Sequence, residues 1–299
     1  MCAGDNDAWG ITAMHNNTLK TTALLAVLTA LLVVIGGALG GRSGMVIFFG
    51  LALVMNFSAY WFSGAIALRM AGAREVTYDQ APDLFQLIEE LATYARLPMP
   101  RVAIIDSPAP NAFATGRDAR HAVVAVTSGI LGILSRDELA GVLAHELGHV
   151  KNRDILISSV ASTVACAITM LAHAAQWALI FGGLGGRNDD DRNPFAELLM
   201  IFIAPIAATL IQLAISRSRE YAADQAGAQI HGNPESLARA LEKLQMASSL
   251  RPLPVNPSVA HLFIVNPLKG QNLAGLFSTH PPIEERIRRL RMMQISPVY

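Results

Sequence analysis

This sequence is short of charge. Only 15% of its 299 residues are Asp, Glu, Lys or Arg, and 52% are apolar, whereas soluble domains carry about 25% charge. So few charges cannot coat a body of this size in water, and part of the surface must face lipid. The 23 basic and 23 acidic residues cancel, which removes the basic field that a nucleic-acid binder needs. Cysteine is nearly missing: Cys2 and Cys166 cannot build a disulfide framework, so a small secreted scaffold is excluded. No internal repeat is visible, and the composition is far from that of disordered or collagen-like chains.

What is present is a series of long apolar runs. Residues 21–41 carry no charge and are bracketed by Lys20 and Arg42, matching the roughly 20 residues that a bilayer core requires. A cleavable signal peptide has a shorter apolar core and no second run directly behind it. Residues 43–68 form that second run after the short link GRSG, so 19–68 is expected to be a transmembrane helical hairpin. Lys20, Arg69 and Arg74 outvote Arg42 and place both ends of the hairpin in the cytoplasm. Two more polar runs, 155–186 and 198–216, make a second hydrophobic hairpin over 155–216, with Pro205 as a kink. A pair of buried helices within a soluble domain is the competing reading there. Residues 1–18 are polar and aperiodic and are expected to be a disordered tail.

Residues 69–154 and 217–299 hold nearly all the charge and read as two halves of one water-facing domain. Leu84, Leu87, Ile88 and Leu91 recur at helical spacing before Pro98 and Pro100. RVAIIDSP (101–108), NAFATG (111–116) and HAVVAVTSG (121–129) read as short strands. Ser135 with Glu138 is a capping box that starts a helix. Asn233 with Pro234 starts another, and a last one begins near Pro282.

The helix capped by Ser135 contains His145-Glu146-Leu147-Gly148-His149. Histidines at i and i+4 share a helix face, about 6 Å apart at Cβ, close enough for both imidazoles to reach one ion at roughly 2.0–2.1 Å. Glu146 projects beside that ion without having to ligate it and can take a proton from an attacking water. The pattern is HExxH, a zinc-protease signature. Two solvated histidines would produce the same letters, but these lie mid-helix among Leu and Val, beyond a cap.

A catalytic zinc needs a third protein ligand. Glu220 is a candidate, with Asp224 one turn on as the carboxylate that orients a ligating imidazole. Glu197, Glu235 and His280 compete on spacing alone. The second hydrophobic hairpin separates the histidines from residues beyond 216, so an even number of crossings must bring them together, and Glu197, inside or at the far edge of that hairpin, fails. His149 is six residues from Ile155 and Glu220 four from Ser216, which puts the centre within roughly 10 Å of the membrane surface.

Taken together, HELGH followed by VKNRD, SRSREYAAD, NAFATG and STHPP resemble the HtpX-type membrane zinc metalloproteases, gluzincin relatives of the CAAX prenyl proteases. The likeness covers about residues 14–295. It implies one Zn²⁺ per chain on His145, His149 and Glu220, and an edge strand at Asn111 and Ala112 that binds substrate backbone by β-addition. It also implies a catalytic His280 that stabilises the oxyanion. The family's setting is the cytoplasmic (inner) membrane, with a multi-pass chain, a protease domain facing the cytoplasm, and stress-linked quality control of misfolded or damaged membrane proteins. The implied partners are protein or peptide substrates and the lipid bilayer, with no nucleic acid. His15, His121, His231 and His261 read as surface groups and His173 as a packing residue. Arg286, Arg288 and Arg289 read as a solvated helix face.

The expected fold class is therefore mostly α with a small β-sheet: a multi-span helical membrane protein carrying a zincin-like HExxH metalloprotease domain. The expected reaction is peptide hydrolysis with Glu146 as general base and acid. A site-2-type intramembrane protease would bury its HExxH in a span, whereas Lys151, Arg153 and Asp154 follow this one directly. A true CAAX prenyl protease needs more spans. A non-proteolytic membrane protein with a structural metal would close the ion with four ligands, usually including Cys.

Overall fold

The computed structural model describes residues 5–180, 217–250, 257–265 and 281–294. Helix α1 (Asp5–Trp61) begins inside the segment expected to be disordered, and it is two helices joined by a break at Gly40–Gly41, where Gly41 takes φ +58°. Its arms, Thr18–Gly37 and Gly40–Trp61, have mean hydropathies of 2.2 and 1.6 and are long enough to cross a membrane. They present apolar side chains outward: Val46 is 72% and Val54 64% exposed, a surface suited to lipid rather than water. Asn56 clasps the arms, its Nδ2 donating to the Leu25 carbonyl at 3.2 Å and to Thr29 Oγ1 at 2.7 Å, the kind of interhelical bond that membrane helices use.

The second arm stops at Trp61, short of the 43–68 run read from the sequence. Residues Ser63–Met70 form a separate helix, α2. Its Ala67 and Leu68 are buried with Phe113 and Phe263 beneath the sheet. Hydropathy alone cannot separate burial in lipid from burial in protein, which is why the run looked continuous.

The sheet has strands β1 (Ala73–Glu75), β2 (Arg101–Ile105), β3 (Ala112–Thr115) and β4 (Val123–Thr127) in the order β1-β2-β4-β3. β2 and β4 run parallel; the outer pairs are antiparallel. The three apolar segments expected as strands are strands. β1 escaped notice because three residues, Ala-Arg-Glu, carry no alternation. Helix α3 (Pro82–Ala95) ends on Arg96 in the left-handed region and buries Leu84, Leu87, Ile88 and Leu91 in the main core. Short helix α4 (Ser128–Ile133) follows β4.

Helix α5 (Arg136–Lys151) starts at the expected capping box: Ser135 Oγ accepts from the Glu138 N–H at 3.3 Å, and Glu138 Oε2 accepts from the Ser135 N–H at 2.8 Å. Such a cap contributes about 1 kcal/mol. Twelve of its sixteen residues are buried, because the sheet, α3, α7 (Arg217–His231) and α8 (Pro234–Leu250) surround it. Helix α6 (Ile155–Ile180) leaves α5 after Asp154 and packs on α1 through Ile157, Val160 and Val164 against Leu24, Leu28 and Leu32. Helix α9 (Ile283–Met292) completes the domain. The expected run 198–216 and Glu197 lie outside the described residues.

Candidate metal centre

Two glycines let the ligand helices touch. A Cβ on Gly227 of α7 would lie 2.7 Å from the His145 backbone nitrogen, and one on Gly148 of α5 would lie 2.9 Å from the Ala223 carbonyl oxygen. Real Cβ atoms do not sit that close, so only glycine permits this approach. The close crossing carries the α5 histidines to the first turn of α7, where Glu220 is found.

There the three side chains converge. Glu220 Oε1 lies 3.6 Å from His149 Nε2, and Glu220 Oε2 lies 3.9 Å from His145 Nε2. One ligand atom from each residue falls within 4.8 Å of the others. Atoms bound to a tetrahedral ion at about 2.1 Å sit about 3.4 Å apart, so the donor set fits a metal with small adjustments. The far nitrogens are held as well. His145 Nδ1 lies 2.9 Å from Asp224 Oδ1, and His149 Nδ1 lies 3.3 Å from Asp154 Oδ2. Each imidazole therefore has a carboxylate behind it, the arrangement that fixes tautomer and ring orientation in metal-ligating histidines.

Behind Asp224 stands Arg286, fully buried. Its Nε and Nη2 donate to the two Asp224 oxygens at 2.9 and 2.6 Å, and its Nη1 lies 3.7 Å from Glu220 Oε2. Burial opposes ionisation of Asp224, but the Arg286 charge and the His145 contact outweigh it and hold the carboxyl at about 2. Burial also disfavours a charged His149, yet Asp154, Glu220 and Glu146 together push it up to about 9. The same negative field favours a bound cation. Glu146 is buried beside the ligands, and burial raises its pKa against the pull of both imidazoles; the Ala114 backbone N–H of β3 donates to it. A raised carboxyl is what a proton shuttle near neutral pH requires.

The cavity over these groups is lined by Ala114, Asp154, Ser158, Arg219, His261 and Ile264 together with the ligands. His145, Glu146, His149, Glu220 and Asp224 are thus brought together as the sequence suggested. Asn111 and Ala112 lie at the start of β3, an edge strand, but that edge is already engaged. The Ala112 carbonyl accepts from the Ile264 N–H at 3.0 Å, Asn111 Nδ2 donates to the Val265 carbonyl at 2.8 Å, and Asn111 is buried. His280 and the side chains of His15 and His173 lie outside the described residues.

Two expectations are overturned. Arg286 is not solvated; it falls on the stripe of Ile283, Ile287 and Leu290, and that spacing was the missed signal. His261 is not a surface group: it is buried, with Nε2 3.2 Å from Ser162 Oγ, and its apolar neighbours Leu262, Phe263 and Ile264 were the clue. Asp154 was seen only as a polar residue after the motif. His121 is exposed and His231 half-buried against Asp137.

A sequence profile of peptidase family M48 matches residues 78–294, which include every residue of this centre. The chain belongs to peptidase family M48. The chain matches relatives named protease HtpX homolog over almost their whole length. The one from Syntrophotalea carbinolica is 57% identical over 93% of this chain and 99% of its own. Those from Syntrophobacter fumaroxidans (59%, 92% and 98%) and Thermococcus sibiricus (54%, 91% and 94%) are similar. The crystal structure of S. mikatae Ste24p superposes with a TM-score of 0.50 at 20% identity, over 95% of this chain and 66% of that one, a likeness of fold. This M48 member is a membrane metalloprotease, and peptides or proteins are its substrates.

Proposed function

We propose that the protein is a zinc-dependent endopeptidase of the cytoplasmic membrane that cuts misfolded or damaged membrane proteins close to the bilayer. The observation that carries this reading is the convergence of His145 Nε2, His149 Nε2 and the Glu220 carboxylate, with both Nδ1 atoms backed by Asp224 and Asp154. Imidazole and carboxylate donors with no cysteine suit zinc. An ion held there supplies Lewis acidity, polarising the scissile carbonyl and easing deprotonation of the attacking water.

The chain's own residues do the rest. Glu146 accepts the proton of the water as it attacks and returns it to the leaving amine. Asp224 and Asp154 keep the ligand imidazoles oriented, and Arg286 keeps Asp224 ionised. Asn111 and Ala112 offer the backbone edge for an extended substrate once residues 264–265 move aside, and His280 assists at the oxyanion. The two arms of α1, Thr18–Gly37 and Gly40–Trp61, anchor the domain, and the halves 69–154 and 217–299 face the cytoplasm on either side of the second hairpin, 155–216, in a multi-pass chain. Lys20, Arg69 and Arg74 support that orientation.

The test uses full-length protein in detergent. Metal content is measured alongside cleavage of casein and of a destabilised membrane protein, with and without chelator and zinc add-back. Stoichiometric zinc with chelator-sensitive cleavage is expected. Cleavage that survives removal of all metal would refute the mechanism.

A further inference from the structure

The charges of the metal centre are mostly matched. Arg286 is paired with Asp224, His145 rests on the same carboxylate, and His149 rests on Asp154. Arg219 is the exception. It sits one residue before Glu220 on α7 and lines the cavity with Asp154, Ser158 and Glu220. Among the described residues it forms no ion pair, and its Nη1 is buried without a hydrogen-bond partner. Asp154 and Glu220 attract it through space but are engaged with the imidazoles, Asp154 with His149 and Glu220 with both ligand histidines.

A partly buried guanidinium with one enclosed and unmet donor weakens the fold. It persists where a ligand completes it, and the planar fork of arginine matches a carboxylate in particular. Arg219 has no mechanical duty toward the ligands, since Arg286, Asp224 and Asp154 already hold them. Its place on the cavity wall, next to Glu220, puts it where residues flanking a scissile bond must lie.

We propose that Arg219 is a specificity residue that binds a substrate carboxylate beside the metal centre, so that the enzyme prefers peptides with an acid close to the cleaved bond. This rests on the protease reading and goes beyond it. The carboxylate can belong to an Asp or Glu side chain or to a free C-terminus, and the peptides below separate the two.

Full-length protein in detergent is given matched synthetic decapeptides that differ only by Glu against Gln at each position around the bond, each with a free or an amidated C-terminus. At one position the acidic peptide is expected to give kcat/KM about tenfold higher, chiefly through KM, as a charge-assisted hydrogen bond implies. Arg219→Gln brings that ratio to about one, Arg219→Lys keeps part of it, and Arg219→Glu turns the preference toward lysine peptides. Binding is read separately by fluorescence anisotropy on Glu146→Gln protein. There the labelled acidic peptide binds about tenfold more weakly when Arg219→Gln is added, and high salt weakens the parent but not the double variant.

Equal kcat/KM for every acid–amide pair in the unaltered enzyme overturns the proposal. So does an Arg219→Gln variant that slows all peptides equally, because the arginine would then serve the reaction or the fold. If preference follows the free C-terminus alone, the acid is terminal. If no peptide is cut in a chelator-sensitive manner while acidic peptides still bind through Arg219, the subsite stands and the protease reading fails.

Discussion

Arg286 grips Asp224 with two parallel hydrogen bonds, Nη2 to Oδ1 at 2.6 Å and Nε to Oδ2 at 2.9 Å, and neither side chain reaches solvent. Removing one member of such a pair strands the other charge in the interior, at a cost of about 3–5 kcal/mol. Arg286→Ala is therefore expected to lower the unfolding temperature in detergent markedly and to weaken metal retention, because Asp224 no longer steadies His145. Arg286→Lys, which keeps the charge but loses the fork, should fall between. Calorimetry with metal analysis reads both, and a melting point equal to the parent's would contradict the pairing.

Glu146→Gln removes the proton acceptor and leaves the three ligands in place. Metal content should stay at the parental level while cleavage falls by roughly 10²–10⁴, the usual contribution of a positioned acid–base group. A Gln variant with near-normal turnover would show that another group moves the proton.

Gly227→Ala tests the helix crossing. The new methyl would meet the His145 backbone nitrogen at 2.7 Å, so α5 and α7 must separate, at a cost of about 1–3 kcal/mol. The histidines and Glu220 move apart with them. Loss of metal affinity greater than the loss of stability is expected, measured by competition with a chromogenic chelator.

Acid should loosen the start of α5. Hydrogen bonds from Ser236 and His231 and the charges of His231 and Arg239 hold the Asp137 carboxyl below its ordinary 3.8 despite burial. For Glu138, burial pushes the other way, but Lys243 and Ser135 outweigh it and hold it below 4.5. Depressed folded pKa values give stability that is complete above the unfolded values and is lost as pH falls through the folded ones. The unfolding temperature should thus decline from about pH 5 downward. An Asp137→Asn, Glu138→Gln variant should start lower at neutral pH and decline less steeply, and parallel curves for the two proteins would rule these carboxylates out as the source.

Asn111→Ala should free the segment it ties down. Its side chain donates to the Val265 carbonyl at 2.8 Å and accepts from the Val265 N–H at 3.3 Å. Faster amide hydrogen exchange at 263–265 is expected, with the β2–β4 ladder unchanged. Unaltered exchange at these residues would mean that the apolar packing of Phe263 against Phe113 holds the segment alone.

Much of this was readable because the signals were local. HExxH sits on a capped helix, the three β segments are short and apolar, and the two helices long and apolar enough to cross a membrane are a matter of length and purity. Glu220 could be narrowed by topology and by resemblance, since nothing local marks a third ligand. What escaped depends on how distant elements pack. Arg286 lies 62 residues from Asp224, and a charged residue beside Arg288 and Arg289 reads as solvated until its partner is seen. His261 meets Ser162 across 99 positions. The end of the second arm at Trp61 was hidden because α2 carries no charge before Arg69, though it faces a sheet.

The Ile264 N–H already rests on the Ala112 carbonyl, and the Ala114 N–H on Glu146. A peptide laid along β3 therefore exchanges contacts instead of simply adding them, and its net gain is what it offers beyond the chain it displaces. Polypeptide already committed to its own helices and sheets has no spare backbone to enter that exchange, whereas unravelled polypeptide does. On the proposed reading, the edge strand would weigh how well a client is folded before any of its amide bonds reached the metal site.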